Sequence, residues 1–392
     1  MGSVLIYNIG RMISGDVNDP VIDADSLFIQ DGVFQEIGTR RKDADIVIDA
    51  RGNTAAPGLI DSHVHLSFGD WTPVQNSTNW ISCYMQCGIT RMVSAGELHL
   101  PGLPIDKPDP QIFRSLALVT RACYDNYRPA GVKVEAGTLL LVPGLKEEDI
   151  AAVGRCGSKL VKFIFYPYGD NPEEQAAYMA WARKYGLKVK IHSGGVSRSG
   201  VSKPADAELI LSLAPDIAGH INGGPIPPSE ADVKRVVDEG SCYLEVAYCG
   251  NAGLAVRTVQ WAAQKGCLDR VILGSDTPSG TGVTPRALLR TMALAATAQG
   301  VEPEQAVCMA TGSAALAHNL DSGFIAEGKP ADLVILGRIQ GSTGADAMEA
   351  LKAGNLLAVS MALIDGELTI KDRSTQTPPP EVGAKVVAQR ID

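Results

Sequence analysis

The chain has 392 residues, 45% hydrophobic and 5% aromatic, with 44 acidic against 35 basic residues for a formal net charge of −9. This composition suits a globular protein with an ample core and excludes disorder, and it leaves no basic footprint for nucleic acid or an anionic membrane surface. No apolar run reaches the roughly 18 residues of a membrane span, and the start lacks a charged segment leading into a long apolar one, so the chain reads as cytoplasmic.

In chain order, residues 1–54 read as short strands at 4–8, 26–30 and 46–49, with Asp31-Gly32 as a tight turn. From 54 to about 319 the pattern changes to β-branched runs alternating with helical stretches, which argues for βα units and a parallel sheet. Strands are predicted at 55–60, 89–94, 138–142, 160–164, 187–191, 217–219, 242–246 and 271–274. Eight is the number that closes a (β/α)8 TIM barrel. Amphipathic helical stretches lie at 173–185, 205–213, 230–239 and 254–265. The segment 101–133, rich in prolines and turn residues, reads as a long loop.

Strand signals return at 331–336 and 358–364, with a turn at Asp365-Gly366. The expected organisation is α/β: a small β-sandwich domain from 1–54 plus 320–392, beside a barrel over 55–319. The last stretch, 372–392, contains Pro378-Pro379-Pro380 and should wrap over a neighbour or fray. The eight cysteines are scattered in apolar surroundings and read as free thiols. Cys83 and Cys87 stand one helical turn apart, but no second Cys or His pair accompanies them, and helix packing explains the spacing.

Chemistry concentrates at strand ends. The apolar run Pro57-Gly58-Leu59-Ile60-Asp61-Ser62-His63-Val64-His65 closes on a His-x-His pair. Side chains two apart on a strand share a face, so both imidazoles can reach one metal ion. By itself the pair is as easily structural, but it ends the first barrel strand, on the face where barrel enzymes keep their sites. His192 follows the fifth strand, His220 the sixth, and Asp276 ends the eighth. Lys162 lies within the apolar fourth strand, where a charged amine is costly unless neutralised or modified. Four of the six histidines thus sit at strand ends with a lysine and an aspartate. Imidazole and carboxylate ligands suit zinc, iron and manganese alike.

Other candidates carry weaker signals. His99, after the second strand, could touch a substrate or be a surface histidine. Arg128 could bind a substrate carboxylate or anchor its loop. Asn222-Gly223-Gly224 and Ser279-Gly280-Thr281-Gly282 could bring backbone close to a ligand or shape turns, and neither has the spacing of a phosphate loop.

The series of strand-end residues resembles the amidohydrolase superfamily, in particular its binuclear members. The likeness extends over essentially the whole chain, to the late motif Glu327-Gly328-Lys329-Pro330-Ala331-Asp332-Leu333-Val334. It implies that His63, His65 and Asp276 hold one divalent ion and His192 and His220 a second, zinc and/or iron. It further implies that Lys162 reacts with CO2 to give a carbamate bridging both. A metal-activated hydroxide would then attack, with Asp276 as the catalytic proton carrier.

The loops Arg128-Pro129-Ala130-Gly131-Val132-Lys133-Val134, His220-Ile221-Asn222-Gly223-Gly224-Pro225, Asp276-Thr277-Pro278-Ser279-Gly280-Thr281-Gly282 and Cys308-Met309-Ala310-Thr311-Gly312 resemble one branch of that superfamily, which opens cyclic enamides. On that resemblance His99, Arg128, Asn222, Gly223 and Ser279 are the candidates for substrate contact. A homo-oligomer is implied, a homotetramer being favoured. The alternatives are a related hydrolase of another lactam or imide, of an N-acyl amino acid or of a dipeptide, and a noncatalytic scaffold. The complete ligand set speaks against the scaffold.

Overall fold

The computed structural model describes residues 2–66, 80–96, 102–104, 106–163, 171–195, 204–224, 226–278, 280 and 282–390. The chain ends build two sheets. One runs Lys385–Gln389, Ile46–Asp49, Ser3–Tyr7, Leu27–Gln30, Val33–Ile37, and the other Glu367–Ile370, Leu357–Ile364, Leu333–Arg338, Thr54–Pro57, Arg11–Ile13, Val21–Ile22.

Two hairpins in these sheets follow from dipeptides legible in the sequence. Asp31-Gly32 and Asp365-Gly366 each take positive φ at both residues, the requirement of a type I′ turn, and they join strands in the registers Gln30↔Val33 and Ile364↔Glu367. Alternate residues Val4 and Ile6, Leu27 and Ile29 of the first sheet share one buried cluster with Leu333 and Ile335, Met361 and Leu363 of the second. Within the stretch 372–392, expected to wrap over a neighbour or fray, Lys385–Gln389 pairs antiparallel with Ile46–Asp49.

The predicted strand at 55–60 is two strands. Thr54–Pro57 lies antiparallel to Leu333–Arg338 in the terminal sheet, and a separate strand, Leu59–Val64, runs parallel to Ile89–Ser94. Gly58 is the switch: its N–H donates to Asp332 O, while the next N–H, of Leu59, donates to Gly88 O. A Cβ at Gly58 would stand 2.2 Å from Thr90 Oγ1, so only glycine lets the chain change sheets there.

The parallel strands follow in chain order. Leu59–Val64, Ile89–Ser94 and Lys133–Glu135 form one run, and Leu139–Leu140, Leu160–Phe163, Lys188–His192, Ile217–Gly219, Tyr243–Ala247 and Val271–Gly274 the other. The predicted third strand, 138–142, therefore begins earlier and is broken at Gly137, which has φ +83 and packs against Arg121 and Ala117 of a neighbouring helix. That helix, Pro110–Asn126, occupies much of the segment predicted as a loop. Pro110 stands at its first position, where the missing N–H costs nothing, and Asp109 caps it by accepting from Gln111 N. Phe113, Leu116, Ala117, Thr120 and Tyr124 line its buried face.

The predicted helices are found at Pro172–Lys184, Ala207–Leu213, Glu230–Glu239 and Ala252–Lys265, each N-capped by a side chain, Asn171, Asp206, Ser229 and Asn251 respectively. The first and last parallel strands meet beyond their ends: Asp276 N donates to His63 O and His65 N to Thr277 O. No helix among the described residues is long and apolar enough to cross a membrane. All eight cysteines are unpaired.

Candidate metal centre

Parallel strands ending on one side deliver their terminal side chains to one place, and here they are His63, His65, Lys162, His192, His220 and Asp276, all buried. The His63, His65 and Asp276 ligand atoms lie within 4.8 Å of one another. His65 Nε2 is 3.1 Å and His63 Nε2 3.6 Å from Asp276 Oδ1. His65 Nδ1 faces the carbonyl of Gly96 at 2.8 Å, which can only accept. In a neutral ring that leaves Nε2 with its lone pair towards a carboxylate oxygen, so a cation or a proton belongs between them.

His192 Nδ1 and His220 Nε2 face each other at 3.0 Å. His220 Nδ1 is buried with no hydrogen-bond partner among the described residues. Burial, then the charges of neighbouring His220 and Lys162, holds His192 well below the usual imidazole range, and burial with Lys162 lowers His220 to about 4. Both rings are therefore neutral at pH 7, the form that binds metal. Two donors on one tetrahedral ion with bonds of about 2.0–2.1 Å lie about 3.3 Å apart. The His192–His220 and His65–Asp276 separations are close to that edge length, so the donor set fits divalent ions.

Lys162 Nζ stands 3.4 Å from His63 Nε2. Burial, then the charge of Lys190, lowers its amine to about 8. Burial works against ionisation of Asp276, yet the His65 imidazole, with His63 and His220 near, holds it well below the usual carboxylate range. The backbone is committed as well: His220 and Asp276 take φ of +35 and +58, a region that non-glycine residues enter only where the surroundings fix them. Gly280 makes room for the carboxylate, since a Cβ there would lie 2.3 Å from Asp276 Oδ2.

Of the candidates for substrate contact, Arg128, Asn222 and Gly223 lie among the described residues. Arg128 donates through Nη1 to Asp365 at 2.8 Å, with its side chain 55% exposed, which is the loop-anchoring arrangement. Asn222 spends both ends of its amide on Ala247, donating to its O and accepting from its N, each at 2.9 Å. Gly223 has φ +88 and a Cβ would meet Pro227 Cα at 2.3 Å, so it shapes a turn. His99 and Ser279 lie outside the described residues.

Two residues of the centre were not singled out from the sequence: Glu245 and Lys190, both fully buried and paired at 2.6 Å. Their signal was the one that marked Lys162, a charged residue inside an apolar parallel strand.

Comparison with known proteins bears on this arrangement. Residues 54–366 match the amidohydrolase family. The chain is 42% identical over 391 residues to enamidase of Eubacterium barkeri, covering 99% of this chain and 100% of that protein. The crystal structure of enamidase, a member of the amidohydrolase superfamily, aligns with a TM-score of 0.90 at 41% identity, over 98% of this chain and 100% of the other. Molinate hydrolase, at 16% identity and a TM-score of 0.60 over 93% and 94% of the two chains, shares the fold alone.

Proposed function

The chain belongs to the amidohydrolase family, and from that premise we propose that it opens the ring of a cyclic enamide by hydrolysing its amide C–N bond. The observation that carries this reading is the full-length likeness to enamidase. Two divalent ions, zinc and/or iron, would complete the site: His63, His65 and Asp276 would hold one, and His192 and His220 the other. The facing nitrogens and carboxylate described above support this assignment. When bound, such ions lower the pKa of a water and polarise the scissile carbonyl.

The chain's own groups do the rest. Lys162, its amine lowered towards neutral pH by burial, captures CO2, loses a proton and becomes a carbamate that can face both ion positions. The C–O bond forms as the water attacks, Asp276 taking its proton through the carboxylate, and the C–N bond then breaks as Asp276 delivers that proton to the departing ring nitrogen. The burial of the six side chains keeps bulk water from the reacting atoms.

In this reading the parallel strands close into a (β/α)8 barrel over 55–319, with Thr54–Pro57 lent to a β-sandwich domain made by 1–54 and 320–392. The bridge between Val64 and Thr277 and the buried cluster shared by the two terminal sheets support it. The protein works in the cytoplasm as a homo-oligomer, a homotetramer being favoured, and takes a small-molecule substrate rather than nucleic acid or membrane. The test is a hydrolysis panel of cyclic enamides, saturated lactams, imides, hydantoins, N-acyl amino acids and dipeptides with metal-replete protein. Ring opening of a cyclic enamide is the expected result. Preference for an acyclic N-acyl compound would transfer the reading to a related hydrolase, and a metal-loaded protein inert to the whole panel would point to a scaffold.

A further inference from the structure

Glu245, on the strand Tyr243–Ala247, accepts from four donors that come from three other strands or their ends. Its Oε1 accepts from Ser62 Oγ at 2.7 Å and from Lys190 Nζ at 2.6 Å. Its Oε2 accepts from His63 Nδ1 at 2.5 Å and from the backbone N–H of His220 at 3.1 Å. Lys190 in turn donates to Ser62 O at 2.5 Å. One oxygen thus faces the lysine and the serine, and the other faces two residues assigned to different ion positions. Gly219 leaves the space this needs, since a Cβ there would stand 3.3 Å from Glu245 Oε2 and 2.7 Å from Ile191 O.

A carboxylate beside a lysine ammonium offers only lone pairs, so the ring nitrogen facing it must carry the hydrogen. His63 is therefore held as the Nδ1–H tautomer, with the Nε2 lone pair directed to Asp276 and Lys162. The same oxygen pins the His220 N–H, whose residue is at φ +35. The ion pair with Lys190 by itself gives little reason for such a group, because a buried pair can often be exchanged for apolar side chains of similar volume at no loss; what distinguishes Glu245 is the further donors it accepts from.

We propose that Glu245, charge-balanced by Lys190, is the positioning residue for both ion sites: it fixes the tautomer of His63 and the backbone of His220, and so couples the two ions through one buried carboxylate. The proposal rests on the reading that His63 and His220 hold ions. Groups of this kind change metal affinity by about 10–100-fold when removed.

The test is titration of the metal-free full chain with Co²⁺ in competition with a chelator, reading both affinities from the visible spectrum, with thermal unfolding run in parallel. The Glu245→Met/Lys190→Met double variant leaves the Ser62, His63 and His220 donors without their acceptor and should unfold at a lower temperature than the wild type, and in its folded form it should bind Co²⁺ at least about tenfold more weakly at the His63 position, with a weaker second site. Glu245→Gln keeps an acceptor oxygen and should lose less. A folded double variant with wild-type affinity at both positions overturns the proposal. If the double variant fails to fold, wild-type affinity in Glu245→Gln together with an unchanged His63 tautomer, read by imidazole ¹⁵N shifts, does the same. A wild-type chain that binds no ion overturns the two-metal reading itself, and this assignment with it.

Discussion

The Nδ1 of His192 and the Nε2 of His220 lie 3.0 Å apart with their rings at 81° to each other, each ring carried on the end of a different parallel strand. On the proposed reading, these two neutral rings meeting nitrogen to nitrogen in a buried site are two ligands of one ion. His192→Ala and His220→Ala should each lose one of two bound ions and keep an unchanged circular dichroism spectrum. Elemental analysis decides it, and full ion content in both variants contradicts a second ion position.

Among the described residues Lys162 has no carboxylate paired to it, and its Nζ stands 3.4 Å from His63 Nε2. If CO2 turns the amine into a carbamate, Lys162→Ala removes the bridge and leaves a gap of matching shape. A short carboxylic acid added to that variant should partly restore turnover, and Lys162→Glu should retain more activity than Lys162→Ala. Equal loss in both, with no response to the acid, argues for a free amine.

Gly280 offers a test born of the tertiary structure alone. An added methyl would meet Asp276 Oδ2 at 2.3 Å and Cys249 Cβ at 2.7 Å, so Gly280→Ala must displace the carboxylate. A displacement of about 1 Å costs on the order of a hundredfold in kcat. The melting temperature should move little, because the contact is local. Unchanged kcat in Gly280→Ala would mean that the carboxylate position is not critical.

Asp276→Asn separates binding from proton transfer. The amide keeps the size and one ligand oxygen but not the basicity, so kcat should fall by roughly two to four orders of magnitude with substrate affinity nearly unchanged. Ion content, substrate dissociation and single-turnover hydrolysis belong on one preparation. A variant holding both ions and turning over within about tenfold of the parent, well short of the acid–base range, makes Asp276 a ligand only.

Truncation after Asn319 removes Leu333–Arg338, which pairs with Thr54–Pro57, and Leu357–Ile364, which pairs with Leu333–Arg338; both strands contribute to the cluster around Ile6, Leu27 and Ile29. The fragment should be insoluble. A soluble, ion-binding and active fragment ending there would contradict the joining of the two chain ends in one domain.

Much of this protein is determined within short windows of its sequence. The two Asp-Gly dipeptides specify their hairpins because both residues accept positive φ, and the His-x-His spacing places both rings on one face because strand side chains alternate. The strand-end positions of His192, His220 and Asp276, and the anomaly of a lysine in an apolar strand, are equally local. Tertiary structure decided the rest. Gly58 is a change of sheet only because Asp332 and Gly88 offer carbonyls from different sheets, and Arg128 is an anchor only because Asp365 arrives beside it. Glu245 and Lys190 acquire meaning only once strands far apart in the chain face one another across Ser62 and His63. Periodicity and turn propensity act over a few residues, whereas the partner of a buried charge is chosen by the packing of the whole chain.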